Sequence, residues 1–367
     1  MASNLSGLTI KDEHLRRALE GQEYLLVDGA MGTQMQERGL DALEAVPELL
    51  CKTHADDITA IHAAYIAAGA EVITTNTFSA NRLKLGDKMS VEEAYRRAAD
   101  CARRAGAAYI AGDIGPTGSL LEPMGTLSFD EAYDIFAEQV RSAVAAGCDV
   151  ILIETMADLL EAKAALLAAR ENSTLPVFVT MTFGEDGRTF LGTTPAIAAE
   201  VLSSLGAQAV GFNCSLGPAE LVGAAHAMAS RVRCPLMAQP NAGLPHMENG
   251  ETIFDVGPEE FARAMGPLLD AGASIVGGCC GTSPRSIELL SKELARREKP
   301  TPRPFKPACV LTSAQEAVVL EKGKHAVAVI GERINPTGKK KLKAALRSGD
   351  LDYVIGEAVT QRNSGAD

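Results

Sequence analysis

The sequence predicts an α/β chain folded as a (β/α)8 TIM barrel, with a truncated βα segment of a second barrel at its C-terminus. Three observations carry this reading. Eight short strand-like runs, at residues 25–28, 71–78, 108–113, 150–156, 177–183, 209–214, 235–241 and 274–280, alternate with helical patterns. Parallel neighbours need a crossover connection, so this alternation implies βαβ units. The second, fourth, sixth and eighth runs share a lead-in: AAGAEVITTN, AAGCDVILIE, SLGAQAVGFN and DAGASIVGGC. In each, a glycine (Gly69, Gly147, Gly206 or Gly272) ends a helix just before the strand, where a left-handed residue is favoured. Four copies at alternate strands suit an eightfold barrel, whose interior is layered by alternate strands. The same lead-in is also common in open α/β sheets, but no G-x-G-x-x-G follows the first run as a dinucleotide-binding sheet would require.

The helix starts are legible in order. Ser90 with Glu93 and Ser128 with Glu131 form capping-box patterns. Thr194–Pro195 and Ser283–Pro284 place an N-cap before a proline in the first helical position. These features assign residues 1–298 to the barrel. The segment EKPTPRPFKPAC carries prolines at 300, 302, 304 and 307; prolines stiffen a chain and remove backbone donors, so 299–310 is expected to be a linker. Beyond it AVAVIGER reads as a strand, followed by helical patterns in KKKLKAALRSGD and LDYVIGEAVTQRNSGAD. Residues 311–367 are therefore expected to be the start of a further domain.

Bulk properties exclude several functions. The net charge is −12, with no basic stripe, which argues against nucleic acid and anionic membrane surfaces as partners. No apolar run reaches the length of a membrane span, and the start lacks the basic and apolar regions of a secretory signal. The expectation is a cytoplasmic protein whose eight cysteines stay reduced, as packing residues, metal ligands or nucleophiles.

In a (β/α)8 barrel the active site forms at the C-terminal ends of the strands, and this rule sorts the cysteines. Cys148 and Cys234 precede strands four and seven, at the opposite end. Cys101 sits in a helix, Cys51 in the first βα segment and Cys309 in the linker. Only Cys214, Cys279 and Cys280 fall at C-terminal strand ends. Adjacent strand residues point to opposite faces, so Cys279 and Cys280 can share one metal only if the strand ends and turns, which Gly277, Gly278 and Gly281 permit. Three sulfurs match a Zn2+ site with one open position, the pattern of a catalytic rather than a structural zinc. The alternative is a small core cysteine and a tight glycine turn.

The residues resemble the homocysteine S-methyltransferase family. The resemblance rests on LVDGAMGT at 26–33, TTNTF at 74–78, GDIGPTG at 112–118, ILIETM at 151–156, GFNCS at 211–215, PNAG at 240–243 and GGCCGTSP at 277–284. It implies a (β/α)8 fold, zinc held by Cys214, Cys279 and Cys280, and the homocysteine ammonium bound by Asp28 and Glu154. Zinc would deprotonate the substrate thiol, whose sulfur then attacks a methyl group. The glycine-rich loop 29–33 is expected to offer backbone N–H groups to the substrate carboxylate. Asn241 faces the same mouth as a candidate for the vacant zinc position when substrate is absent, while His246 reads as a solvated loop residue.

Members of the family use betaine, S-methylmethionine or methylcobalamin as donor. A quaternary ammonium such as betaine calls for aromatic faces, and this chain has no Trp. Residues 330–346, IGERINPTGKKKLKAAL, resemble the opening of the pterin-binding domain of cobalamin-dependent methionine synthases. That resemblance implies a methyl group from methylcobalamin held by a further domain, with 5-methyltetrahydrofolate used by the longer enzyme, and places Glu332 and Asn335 near pterin. Two alternatives remain: a stand-alone methyltransferase using S-methylmethionine or betaine, and a non-catalytic zinc-binding module. A metal-hydrolase barrel would want His ligands at strand ends, and none is there.

Overall fold

The computed structural model describes residues 5–40, 43–44, 46–248, 251–302, 308–320 and 327–367. It contains an eight-stranded parallel sheet. Its strands are β1 (Leu25–Leu26), β2 (Val72–Thr74), β3 (Tyr109–Ile114), β4 (Val150–Met156), β5 (Val177–Met181), β6 (Ala209–Asn213), β7 (Leu236–Gln239) and β8 (Ala273–Val276). Strands β2 to β8 pair in sequence order, and β8 pairs with β1. A bridge between Val27 and Val72 joins β1 to β2 and closes the barrel. All eight strands coincide with runs read from the sequence.

Two apolar clusters hold this arrangement. The inner one includes Leu25, Val27, Val72, Ala111, Leu152, Phe178, Met237 and Ile275, all turned into the barrel. Leu15, Ala18 and Leu19 of the N-terminal helix Glu13–Leu19 belong to the same cluster, so this helix plugs the end where the strands begin. The outer cluster packs Ile73, Ile110, Ile151, Ile153, Val179 and Val210 against the surrounding helices. Alternate residues of one strand thus serve opposite faces, as the pleat requires. The helix-end glycines 69, 147, 206 and 272 have φ of 102°, 77°, 95° and 98°. Ser128 and Glu131 make both bonds of a capping box, and Thr194 caps a helix with Pro195 in its first turn. Ser90 makes one half, accepting from the Glu93 amide; the Glu93 carboxylate instead pairs with Arg97 at 2.6 Å.

Contacts divide the chain into two compact units, Met1–Phe305 with Thr312–Glu316, and Lys306–Leu311 with Ala317–Asp367. Of the expected linker, Pro304 and Pro307 lie outside the described residues. Cys309, placed in that linker from sequence, begins a strand: Cys309–Thr312 pairs with Ala317–Leu320. In the second unit the expected helices form as Lys340–Ser348 and Leu351–Asn363. The expected strand AVAVIGER does not form over its described residues 327–333. A ladder needs a neighbouring strand; here Val329 exchanges its backbone bonds with Asp367, and Val327 and Ile330 are exposed. Glu332 is exposed and pairs with Lys339 at 2.7 Å, and the Asn335 amide donates to the Glu332 carbonyl at 3.1 Å. No helix among the described residues is long and apolar enough to cross a membrane.

Candidate active site

The C-terminal ends of the barrel strands surround a cavity of about 460 Å3, lined by Asp28, Glu48, Thr74, Asp113, Glu154, Cys214, Gln239, Cys279, Cys280 and the loop 29–33, among others. The lining has two chemical halves. Asp28, Asp113 and Glu154 come from the β1–β4 side, and the three cysteines from β6 and β8.

The sulfur half forms because two strands stop early. β8 ends at Val276, and the chain turns through Gly277 and Gly278 before reaching Cys279. Gly278 is required: a Cβ there would lie 2.3 Å from the Thr282 hydroxyl. The loop is laced on both sides, with Gly278 N donating to Asp28 O at 3.0 Å and Cys279 N to Pro240 O at 2.9 Å. Cys214 follows β6 with φ of 61°, and Ser215 follows at 62°, a conformation that costs non-glycine residues roughly 1–2 kcal/mol each. These turns bring the sulfurs of Cys214, Cys279 and Cys280 within 4.8 Å of one another, with Cys214 and Cys280 at 4.0 Å. Tetrahedral zinc with Zn–S near 2.3 Å spaces sulfurs by about 3.8 Å, so the donors fit that ion. Thiol hydrogen bonds from Cys279 and Cys280 hold Cys214 down to about 3. The same bond to Cys214 pushes Cys280 up to about 12, and Cys279 is raised as well. A cation bound among the three sulfurs would favour ionisation of all three.

The acidic half is held differently. Asp28 is buried and accepts from Thr74 twice, from the hydroxyl at 2.7 Å and the amide at 2.9 Å. Burial nevertheless pushes its carboxyl up to about 7. Burial, the Cys214 sulfur and Asp28 push Glu154 up to about 8. Asp113 is raised well above the carboxylate range by burial and by Glu154, Asp28 and Glu48, and Glu48 is raised by burial. No Lys, Arg or His lines the cavity among the described residues. Such a site favours a cation supplied from outside.

Asn213 joins the halves. Its Nδ2 donates to Thr155 Oγ1 at 2.7 Å and to Glu154 Oε2 at 3.3 Å, and lies 3.8 Å from Cys279 Sγ. Its Oδ1 accepts from the Thr155 amide at 2.8 Å and the Thr180 hydroxyl at 2.7 Å. These bonds hold Thr155 at φ of 58°, unusual for a β-branched residue. Asn241 is buried, its Oδ1 has no hydrogen-bond partner, and its amide helps hold the Cys214 thiol low. His246 is exposed on a hairpin, Pro245–Glu248 with Glu251–Phe254.

The structure thus gathers Asp28, Glu154, Cys214, Cys279 and Cys280 around one cavity, with Asn241 beside Cys214. Sequence reasoning missed Glu48, Asp113, Asn213 and Thr282, and also the hairpin, whose Phe254 packs on Gly281 of the cysteine loop. Asp113, Asn213 and Thr282 lay within the quoted motifs, and the hairpin was signalled by Asn249–Gly250, which lie outside the described residues.

Comparisons with known proteins place the chain among relatives. Methionine synthase of Mycobacterium leprae is 33% identical over 94% of this chain, and that of Mycobacterium tuberculosis is 32% identical over 98%. The chain spans about a third of the length of these relatives, 31% and 32%. Among solved structures, the homocysteine methyltransferase MmuM from Escherichia coli superposes with a TM-score of 0.65 in its oxidized form and 0.64 in its metallated form, at 22% identity. Each superposition covers 77% of this chain and 100% of that one, a likeness of fold. The family model described as homocysteine S-methyltransferase matches residues 25–294, nearly the whole barrel, and the chain belongs to that family.

Proposed function

We propose that this barrel is the substrate module of a cobalamin-dependent methionine synthase: it binds homocysteine, holds its thiol on zinc and directs its S-methylation to methionine. The carrying observation is the convergence of three cysteine sulfurs and the carboxyl groups of Asp28, Asp113 and Glu154 on one cavity. Zinc bound by Cys214, Cys279 and Cys280 would supply a Lewis acid that favours the thiolate form of the substrate. Asp28 and Glu154 accept the ammonium, whose charge favours their ionised forms. Backbone N–H groups of the loop 29–33 are the candidates for the substrate carboxylate. Asn213 fixes Glu154 and stands beside Cys279, so the two ends of the substrate are positioned against one rigid hub. Asn241 is the residue proposed for the vacant zinc position in the absence of substrate. The substrate sulfur attacks the methyl carbon, a C–S bond forms, and the donor departs with the electron pair of the broken bond.

Methylcobalamin is the proposed donor, carried on a separate cobalamin-binding domain, with 5-methyltetrahydrofolate as the methyl source of the longer enzyme. Support comes from IGERINPTGKKKLKAAL at 330–346 and from the methionine synthase relatives. On this reading residues 1–298 are the homocysteine barrel, 299–310 the linker, and 311–367 the start of the pterin-binding domain. The test is a zinc assay joined to homocysteine-dependent demethylation of added methylcobalamin. About one zinc per chain and demethylation that requires both metal and homocysteine are expected. A chain that binds zinc yet demethylates only S-methylmethionine would overturn the choice of donor, and a chain inert to every thiol would overturn the activity.

A further inference from the structure

Asp113 has no part in the reading so far, and its surroundings give it one. It lies on β3, between β2, whose Thr74 holds Asp28, and β4, which carries Glu154. Tyr109 and Ala111 face the barrel interior, so the pleat turns Asp113 inward as well, at the cavity end of the strand. Its backbone is fixed from three sides. The Asp113 carbonyl accepts from the Tyr95 hydroxyl at 2.7 Å and the Thr77 hydroxyl at 2.8 Å, and its amide donates to Thr75 Oγ1 at 3.0 Å. The carboxyl is held less completely, by a backbone hydrogen bond from Ile114. Asp113 is 3% exposed and lines the cavity, and its Oδ1 has no hydrogen-bond partner.

A buried carboxyl oxygen without a donor is costly. Among the described residues no basic side chain lines the cavity to satisfy it, so a ligand that brings N–H groups can supply the donor. A primary ammonium carries three N–H donors. Asp28 and Glu154 provide acceptors for two of them, and the arc β1–β2–β3–β4 puts Asp113 between these two.

We propose that Asp113 is the third acceptor for the substrate ammonium, and that it sets the preference of this site for α-amino thiols over thiols that lack the amino group. This rests on the homocysteine reading above. The three N–H bonds would be divided among three strands of the barrel wall, fixing the rotation of the amino group as well as its position. With the sulfur anchored at the cysteines, that rotation decides where the rest of the substrate lies.

The experiment uses the zinc-loaded full chain and two ligands: L-homocysteine, and 4-mercaptobutanoate, which is homocysteine without its amino group. Affinities are measured by calorimetry for the wild type, Asp113→Asn and Asp113→Ala, with zinc content measured in each. Both variants should keep zinc and bind homocysteine at least about tenfold more weakly, the size expected for a hydrogen bond to a charged group. Their affinity for 4-mercaptobutanoate should stay at the wild-type value. Equal loss for both thiols, or no loss for homocysteine, overturns the proposal, as does loss of zinc in both variants, which would make Asp113 part of the scaffold. The failures are distinguishable. If the wild-type chain binds neither thiol, the homocysteine reading falls and takes this one with it. If Asp28→Asn abolishes the amino preference while both Asp113 variants keep it, only the role of Asp113 falls.

Discussion

Thr282 offers a sharp test of how the cysteine loop is held. It is fully buried. Its Oγ1 donates to the Cys279 carbonyl at 2.7 Å and accepts from the Ala30 amide at 3.1 Å. The Tyr65 hydroxyl reinforces the same junction, donating to Ala30 O at 2.9 Å and Thr282 O at 3.3 Å. One hydroxyl therefore joins the loop of the proposed metal ligands to the loop proposed to bind the substrate carboxylate. Thr282→Val keeps the shape and removes the oxygen. The Ala30 N–H is left buried without an acceptor, at about 1–3 kcal/mol, and one neutral bond worth about 1 kcal/mol is lost. Cys279 O keeps the Thr282 amide at 3.1 Å, so the total is about 2–4 kcal/mol. Thr282→Ser keeps both bonds and loses one methyl, about 1 kcal/mol. Urea unfolding of the zinc-loaded protein measures the stability difference, and chelator competition measures zinc affinity, which should fall in the valine variant and recover in the serine variant. Equal stability and equal zinc affinity in the two variants would refute the hydroxyl's role.

Replacing Cys214, Cys279 or Cys280 by Ser should remove most bound zinc, whereas Cys101→Ser and Cys234→Ser should not; elemental analysis finding full zinc in Cys279→Ser would sink the ligand assignment. Asp28→Asn and Glu154→Gln should each weaken homocysteine binding by about 1.5–3 kcal/mol, as for a hydrogen bond to a charged group, with zinc retained; unchanged affinity would move both residues to a structural role. His62 is fully buried, both ring nitrogens lack partners, and burial pulls it from 6.5 down to about 4. The folded chain thus binds this proton less readily than the unfolded chain, so stability present above pH 6.5 is lost as pH falls through 4, by about 3 kcal/mol at 1.36 kcal/mol per pH unit. His62→Leu should flatten that part of the acid limb relative to the wild type; parallel stability curves from pH 7.5 to 4.5 would exclude it.

The parts of the molecule that were legible in sequence are those whose cause is local. A strand buried on both faces needs an apolar run, and a helix that ends before such a strand needs a residue tolerant of positive φ; Gly147 before Val150 shows both. The cysteines were sorted by strand direction alone, since Cys148 and Cys214 differ in which end of a strand they flank. What stayed hidden depends on neighbours that the chain itself does not indicate. Glu93 reads as half of a capping box until Arg97 competes for its carboxylate. AVAVIGER has the composition of a strand, but composition supplies no partner for its ladder. Thr282 looks like an ordinary residue before an N-cap, and only the packing of two distant loops reveals its hydroxyl as their joint.

Asn213 shows why this site depends on non-local contacts. Thr155 and Cys214 both occupy left-handed conformations, and each follows a residue of the site hub: Thr155 follows Glu154, and Cys214 follows Asn213. Neither conformation is favoured by its own residue type, so both must be held from outside. The Asn213 amide bonds both the backbone and the hydroxyl of Thr155, which sets the direction in which Glu154 leaves its strand. The turn that starts at Cys214 is fixed instead by main-chain bonds, from Cys214 N to Gln239 O at 3.1 Å and from Leu216 N to Cys214 O at 2.8 Å. The carboxylate and the sulfur therefore take their positions from adjacent residues of one strand, β6 and its exit. On the proposed binding mode, an error in the placement of Asn213 would be passed to both ends of the substrate at once. An apolar residue in its place would leave the Thr155 amide and the Thr180 hydroxyl without their acceptor. The amide at this position thus joins Glu154, Thr155 and Thr180 in one hydrogen-bonded group within 3.8 Å of the Cys279 sulfur.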